Sequence, residues 1–164
     1  MKTLVVYFSR TGQASLTARV AKEIAKQCDA HVDRIQMLSQ EPSLFAAWRY
    51  GWQSLTHAEP PIRKAGHNPA NYDLIVIGVP ISRAGLAPPV RSYLRRYGNQ
   101  IQQLAFFCAE GAGGEDRGFS ELSKLYGKPP VATFGVARKH LSVIADREQL
   151  NDFVGSLRGG LTEK

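Results

Sequence analysis

The sequence is poor in cysteine and has no long apolar run. Its two cysteines, Cys28 and Cys108, lie far apart and outside any CxxC or Cys/His pattern, which argues against a disulfide framework and a zinc site. No apolar stretch approaches the roughly 18 residues that a membrane-spanning helix needs. The first run, Leu4 to Phe8, is too short for the core of a signal peptide. We expect a cytoplasmic protein without a membrane span or a bound metal.

The usual nucleotide-binding motifs are also missing. The sequence has no GxxxxGK followed by Ser or Thr, and no GxGxxG after its first apolar run. A P-loop nucleoside triphosphatase and a dinucleotide-binding domain are therefore not expected. Acidic residues are outnumbered by basic ones, 14 to 21, and the formal net charge is +7. No nucleic-acid-binding module or base-stacking pattern accompanies this charge, so no nucleic-acid partner is expected.

What the sequence does have is a regular succession of apolar runs. Its 43% hydrophobic and 21% charged residues are typical of a globular protein, and its length fits one domain, 1–164. The run His31 to Met37 places Asp33 and Arg34 among apolar residues, which predicts a half-exposed edge strand. Uninterrupted apolar runs predict strands of a parallel sheet covered on both faces. They are Leu4 to Phe8, Leu74 to Ile77, Leu104 to Cys108 and Val131 to Val136.

Between these runs, apolar residues recur at helical spacing. Helices are expected from Ser15, from Pro89 to Gly98 and up to Gly127, and Asp146 with Gln149 resembles a capping box that opens the last one. Strand and helix thus alternate along the chain. Right-handed crossovers then give an α/β fold, a three-layer, doubly wound, five-stranded parallel sheet with helices on both faces.

A long insertion, around 38–73, separates the second strand from the third. Ser43 can cap a helix there, and Pro60 to Asn71 is typical of a solvated loop. Trp48 and Trp52 either form a platform for a ligand or bury against the sheet, as rings at i and i+4 usually do. The apolar side of the predicted helix consists of Leu44, Phe45, Trp48, Trp52 and Leu55.

The segment after the first strand has the composition of a phosphate-binding loop. Ser9, Thr11 and Ser15 offer hydroxyls, Gly12 lets the backbone turn, and a helix begins directly afterwards. Hydroxyls and the free N–H groups of a helix start suit a phosphate dianion. The same composition also occurs in an ordinary turn with a serine cap, and the loop alone does not decide between these.

Several segments of the sequence form one recognisable set. The first is Ser9-Arg10-Thr11-Gly12 after a strand. Tyr72-Asp73 precede the apolar run Leu74-Ile75-Val76-Ile77-Gly78-Val79-Pro80, and Ala87-Pro88-Pro89-Val90 open a helix. Glu110-Gly111-Ala112-Gly113-Gly114 follow the fourth strand. Together these segments resemble those of the flavodoxin-like family, over nearly the whole chain.

The resemblance implies a sheet of order 2-1-3-4-5 that binds FMN non-covalently. The phosphate would lie in the loop from Ser9 to Ser15, and the isoalloxazine ring between the loops Pro80 to Gly85 and Ala109 to Gly114. A backbone peptide within Ser82 to Gly85 would bond to flavin N5. The implied cofactor-binding residues are Ser9, Arg10, Thr11, Gly12, Gln13, Ala14, Ser15, Pro80, Ile81, Ser82, Arg83, Ala84, Gly85, Glu110, Gly111, Gly113 and Gly114.

Two loops depart from the pattern of that family. Gln13 and Ala14 stand where the phosphate loop usually has Asn and Thr, so Ser15 is the candidate to supply the missing hydroxyl. Ser82 stands where the family often has an aromatic ring on the flavin, a contact worth on the order of 1 kcal/mol. A ring from Trp48, Tyr50 or Trp52 could replace it.

Other chemically capable residues receive simpler interpretations. Cys108 beside the predicted flavin suggests either a redox role or a small buried strand residue. The four histidines show no ligand or triad spacing, and no role is assigned to them. The basic residues divide into two groups: Arg91, Arg95 and Arg96 suit a solvated helix face, whereas Arg83, Arg138 and Lys139 suit the attraction of an anionic substrate or partner.

Two functions follow from these observations. The first is an FMN-dependent redox protein, an electron carrier or small reductase, in which no side chain need act as an acid or a base. The second is a flavodoxin-fold binding protein that has lost or weakened flavin binding.

Overall fold

The computed structural model describes residues 1–9, 15–38, 59–80, 86–109, 115–136 and 144–159. They contain one parallel five-stranded sheet of order β2-β1-β3-β4-β5, which confirms the predicted fold class and strand order. The strands are β1 (Thr3–Tyr7), β2 (His31–Arg34), β3 (Leu74–Pro80), β4 (Gln103–Ala109) and β5 (Ala132–Val136).

Helices lie between the strands where the sequence predicts them. They are α1 (Leu16–Cys28), α2 (Pro88–Tyr97), α3 (Glu115–Tyr126) and α4 (Ile144–Gly159), with short 3-10 turns at Pro69–Asn71 and Gly98–Gln100. The capping box at Asp146 was wrong, because α4 already includes that residue. The predicted helix with Trp48 and Trp52 lies outside the described residues.

Helix α1 shows why its sequence folds as it does. Ser15 is the N-cap, and its Oγ accepts a hydrogen bond from the Ala18 N–H at 3.1 Å. The apolar positions Val20 and Ile24 lie one turn apart and are buried on the sheet. Asp29 ends the helix in a left-handed conformation (φ 49°) and donates its N–H to the Ala25 carbonyl.

The sheet separates two hydrophobic cores. One lies under α1 and α4 and includes Val5, Tyr7 and Phe107, and the other lies under α2 and α3 and includes Val6, Ile77 and Phe106. Neighbouring residues of a strand thus point to opposite cores. Because both faces are covered, β1, β3 and β4 are almost wholly buried, as their uninterrupted apolar runs predict.

The edge strand β2 is shorter than the predicted run His31 to Met37. It ends at Arg34, and Met37 instead forms an isolated antiparallel bridge to Ile62. The Arg63 N–H donates to the Gln36 carbonyl at 2.7 Å. Past Arg34 the chain thus pairs with residues 59–67, the returning segment. This pairing shields backbone groups at the edge where the sheet has no further strand.

Among the residues described, no helix is both long and apolar enough to cross a membrane.

Candidate functional site

The predicted site lies at one edge of the sheet, where the central strands end together. Tyr7 of β1 is level with Gly78 of β3, and Pro80 of β3 is level with Ala109 of β4. The predicted loops follow these strand ends directly in the sequence, and the strand ends lie side by side. Of the predicted cofactor-binding residues, Ser9, Ser15 and Pro80 are described. Arg10, Thr11, Gly12, Gln13, Ala14, Ile81, Ser82, Arg83, Ala84, Gly85, Glu110, Gly111, Gly113 and Gly114 lie outside the described residues.

The order of the strands reverses between β1 and β3. From β1 the chain passes to β2 on one side, and from β3 it passes to β4 on the other. Helix α1 covers one face of the sheet and α2 the opposite face. Connections that leave in opposite directions open a crevice at the carboxyl ends of the strands, and ligands of such sheets bind there.

The first turn of α1 supplies N–H donors at this crevice. The Ser15 hydroxyl caps the helix through its oxygen, which leaves its own hydrogen free to be donated. Ser15 can therefore cap the helix and bond an anion at the same time. This suits its predicted role as the replacement for the hydroxyl missing at Ala14.

Two hydroxyls on either side of residues 10–14 are buried and have no hydrogen-bond partner among the described residues. Ser9 is 3% exposed and Thr17 is 1% exposed, and neither hydroxyl makes a hydrogen bond within the structure described. An unsatisfied buried hydroxyl is costly, and native proteins contain few of them. Ser9 and Thr17 thus fit a phosphate group that would accept hydrogen bonds at this loop. Thr17 was missed by the sequence reasoning, although its place in the first helical turn was a usable signal.

Arg34, at the end of β2, also reaches this loop. Its Nη2 donates to the Ser9 carbonyl at 3.3 Å, and its Nε is buried without a hydrogen-bond partner. No carboxylate of the described residues forms an ion pair with it. The sequence had placed this charge only on a half-exposed edge strand.

Leu86, the first described residue after β3, takes part in a network of hydrogen bonds with α2 and α3. The Leu86 N–H donates to Glu121 Oε2 of α3 at 3.1 Å, and Arg91 Nε donates to Glu121 Oε1. Arg91 is only 2% exposed, so its assignment to a solvated helix face was wrong. It occurs in a basic stretch but turns inward toward the carboxylate of α3. Arg95 and Arg96 are exposed, as predicted.

Neither cysteine has the surroundings of a reactive thiol. Cys108 is fully buried in β4, between Val79 and Gly135, which fits the structural interpretation. Burial raises the pKa of the Cys28 thiol, and the nearby Arg158 offsets this only in part. A thiol that remains protonated is a poor nucleophile.

Two of the histidines that had no assigned role come together at the outer edge of β2. The His67 N–H and Nδ1 both lie against the Asp33 carboxylate, at 2.7 and 2.6 Å, and the Tyr72 hydroxyl lies 2.8 Å from His31 Nδ1. The two imidazole rings stack with centroids 4.8 Å apart. Asp33 pairs with Val6, whose side chain lies in the core under α2, so the cluster is on the face away from α1. It holds the returning segment to the sheet.

Comparisons with solved structures show the fold. A flavoprotein from Lactobacillus acidophilus NCFM, in complex with FMN, matches with a TM-score of 0.68 and 19% identity, over 93% of this chain and 97% of that chain. A candidate flavoprotein from Bacteroides uniformis matches with a TM-score of 0.71 and 24% identity, over 94% and 97%. An NADH:FMN oxidoreductase in its apo form matches with a TM-score of 0.62 and 15% identity, over 100% and 92%.

No protein-family model and no curated protein matches the chain. The chain has a flavodoxin-like fold.

Proposed function

We propose that this protein binds FMN and serves as a redox protein, either an electron carrier or a small flavin-dependent reductase. The observation that carries the proposal is a pair of buried hydroxyls, Ser9 and Thr17, which find no hydrogen-bond partner in the part of the chain that the structure describes. They lie beside the start of α1 at the point where strand order reverses. FMN bound to a neighbour of the same fold supports it. FMN, when bound, supplies the electron-accepting and electron-donating chemistry.

The tasks of the protein are to bind and orient the cofactor. Ser9, Ser15 and Thr17, with the start of α1, would hold the phosphate. The loops 80–85 and 109–114 would enclose the ring system. Because β3 and β4 are buried, the starting points of both loops are fixed. This limits the conformational entropy that the loops would lose on binding the ligand.

The electron acceptor or partner is proposed to be anionic. In the sequence, Arg83 follows strand three, and Arg138 and Lys139 follow strand five; the carboxyl ends of the strands form the proposed ligand end of the sheet. A basic rim raises the local concentration of an anion and speeds its association at low salt. A reducing, cytoplasmic compartment suits Cys28 and Cys108, which form no disulfide with each other.

The test is the affinity of the purified protein for flavins of different length. FMN should bind at least about tenfold more tightly than riboflavin, because charge-assisted hydrogen bonds to the phosphate are each worth roughly 1.5 kcal/mol or more. FAD should bind more weakly than FMN, since there is a cradle for one phosphate. Calorimetric titration measures all three ligands, and equal affinities for FMN and riboflavin would refute the phosphate loop.

Ala14 and Ser82 favour a second function, a binding protein of the same fold that holds no flavin. Each removes a contact that the resemblance implies for FMN. The visible absorption spectrum of the protein, recorded with and without added FMN, separates the two functions. A protein that shows no perturbed flavin band at saturating FMN would support the second.

A further inference from the structure

We propose that Arg34 is a phosphate-binding residue that gives the crevice its preference for a phosphorylated ligand. The proposal rests on the proposed function, because the phosphate in question is that of FMN. Arg34 would be a charged partner of the phosphate that lies outside the three predicted loops. Three properties of Arg34 support it: the side of the sheet on which it lies, its reach and its unbalanced charge.

The side follows from the register of the sheet. Arg34 pairs with Tyr7, and the Tyr7 side chain is buried in the core under α1. Residues level with one another on neighbouring strands point to the same face, so Arg34 lies on the α1 face. The residue before it, Asp33, points to the opposite face with the histidine cluster.

One hydrogen bond shows that the Arg34 side chain extends to the predicted phosphate loop. Arg34 Nη2 lies 3.3 Å from the carbonyl oxygen of Ser9, where the chain enters the predicted phosphate loop. The guanidinium is therefore at the residue whose hydroxyl is buried without a partner. An arginine fork can hold a carbonyl with one nitrogen and a phosphate oxygen with another.

The charge is unbalanced within the structure described. Arg34 is half-buried, its Nε has no hydrogen-bond partner, and no Asp or Glu of the described residues pairs with it. Buried charged groups are normally paired, and Arg34 buries its Nε. A phosphate dianion over the start of α1 would balance this charge and complete the hydrogen bonds of Ser9.

The experiment measures the affinities for FMN and for riboflavin in variants that remove or keep the positive charge at position 34. Arg34→Met should weaken FMN binding about tenfold or more, the loss expected when a charge-assisted hydrogen bond is removed. Riboflavin binding should change less than twofold. Arg34→Lys should keep part of the preference at low salt, because it keeps the charge without the fork.

The matched control is Arg19→Met. Arg19 is exposed on α1, and its replacement removes the same net charge from the helix that follows the predicted phosphate loop. FMN affinity should remain within twofold of wild type. The thermal midpoint of each apo-protein, measured alongside, shows whether the variant is folded.

Two results would overturn the proposal. The first is an equal loss of FMN and riboflavin affinity in Arg34→Met, which would make Arg34 a support of the Ser9 backbone only. The second comes from inorganic phosphate, titrated into the apo-protein while the Nε–Hε signal of Arg34 is followed by NMR. No saturable shift would contradict the proposal even if no flavin binds, whereas failure of the wild type to bind FMN contradicts the proposed function alone.

Discussion

At the scale of single residues, Gly78 decides whether the central strands can pack. A Cβ atom at this position would lie 1.9 Å from Cζ of Phe107, the neighbouring residue on β4. Phe107 is fully buried, so its ring can move aside only by displacing other side chains of the core. The ring of Phe107 thus fills the space that a side chain at position 78 would need.

Gly78→Ala should therefore destabilise the fold by about 3 kcal/mol, the upper range for inserting a methyl group into a packed core. The measurement is the free energy of unfolding in urea. Gly155→Ala is the control, because Gly155 lies in α4 and a Cβ atom there would meet no other atom within 4 Å. It should gain roughly 0.5–1 kcal/mol from the better helix propensity of alanine. A loss below about 1 kcal/mol at Gly78 would contradict the packing argument.

Ser82 is the residue at which flavin stacking can be tested. Ser82→Trp should tighten FMN binding about threefold to tenfold, because a stacked aromatic pair adds roughly 0.5–1.5 kcal/mol beyond area burial. The new ring should also quench flavin fluorescence, which gives the readout.

Trp48→Ala is the companion variant for that experiment. A gain in Ser82→Trp with no change in Trp48→Ala indicates an open flavin face. A loss in both variants indicates that a ring of the long insertion already covers the flavin, and that the expected gain was wrong.

At the scale of elements, Glu121 joins α3 to the beginning of α2. Its carboxylate accepts hydrogen bonds from the Leu86 N–H and from Arg91 Nε. Both Leu86 and Arg91 are buried. Arg91 Nη1 and Nη2 have no hydrogen-bond partner among the described residues. A buried ion pair with unsatisfied donors is weak evidence for stability, so its effect is better sought in the position of Leu86.

Two double variants isolate that effect. Arg91→Met with Glu121→Gln removes both charges but keeps an acceptor for the Leu86 N–H, whereas Arg91→Met with Glu121→Met removes the acceptor too. The second should be less stable than the first by about 1–3 kcal/mol, the cost of a buried N–H without a partner. It should also lose protection of the Leu86 amide in hydrogen exchange. Equal protection in the two variants would show that Glu121 does not hold Leu86.

At the scale of the whole molecule, the net charge of +7 sets an electrostatic background for a bound flavin. Positive charge at the ligand end should stabilise the anionic form of reduced FMN. Arg83→Glu should therefore lower the potential of the second reduction step by tens of millivolts, where about 59 mV corresponds to a tenfold change for one electron.

Potentiometry of the FMN-loaded protein at low and high salt measures this effect. The shift should shrink at high salt, because the Debye length falls to about 3 Å at 1 M ionic strength. A potential insensitive to both Arg83→Glu and salt would contradict the prediction.

The sequence by itself determined the order of the strands and helices. The runs of β1, β3 and β4 are continuous because both faces of each strand are covered, and this pattern can be seen without coordinates. The Ser15 cap and the apolar spacing of α1 are equally local. The FMN loops stay predictions from sequence, since all but Ser9, Ser15 and Pro80 lie outside the described residues.

Only the tertiary structure decided which polar residues meet. Arg34 reaches Ser9 across 25 positions, Glu121 accepts the Leu86 N–H across 35, and His67 contacts Asp33 across 34. Arg91 is buried, although the other two arginines of its helix are exposed. Periodicity determines which face of its own element a residue occupies, but the partner on another element depends on strand order, register and the path of the chain between them.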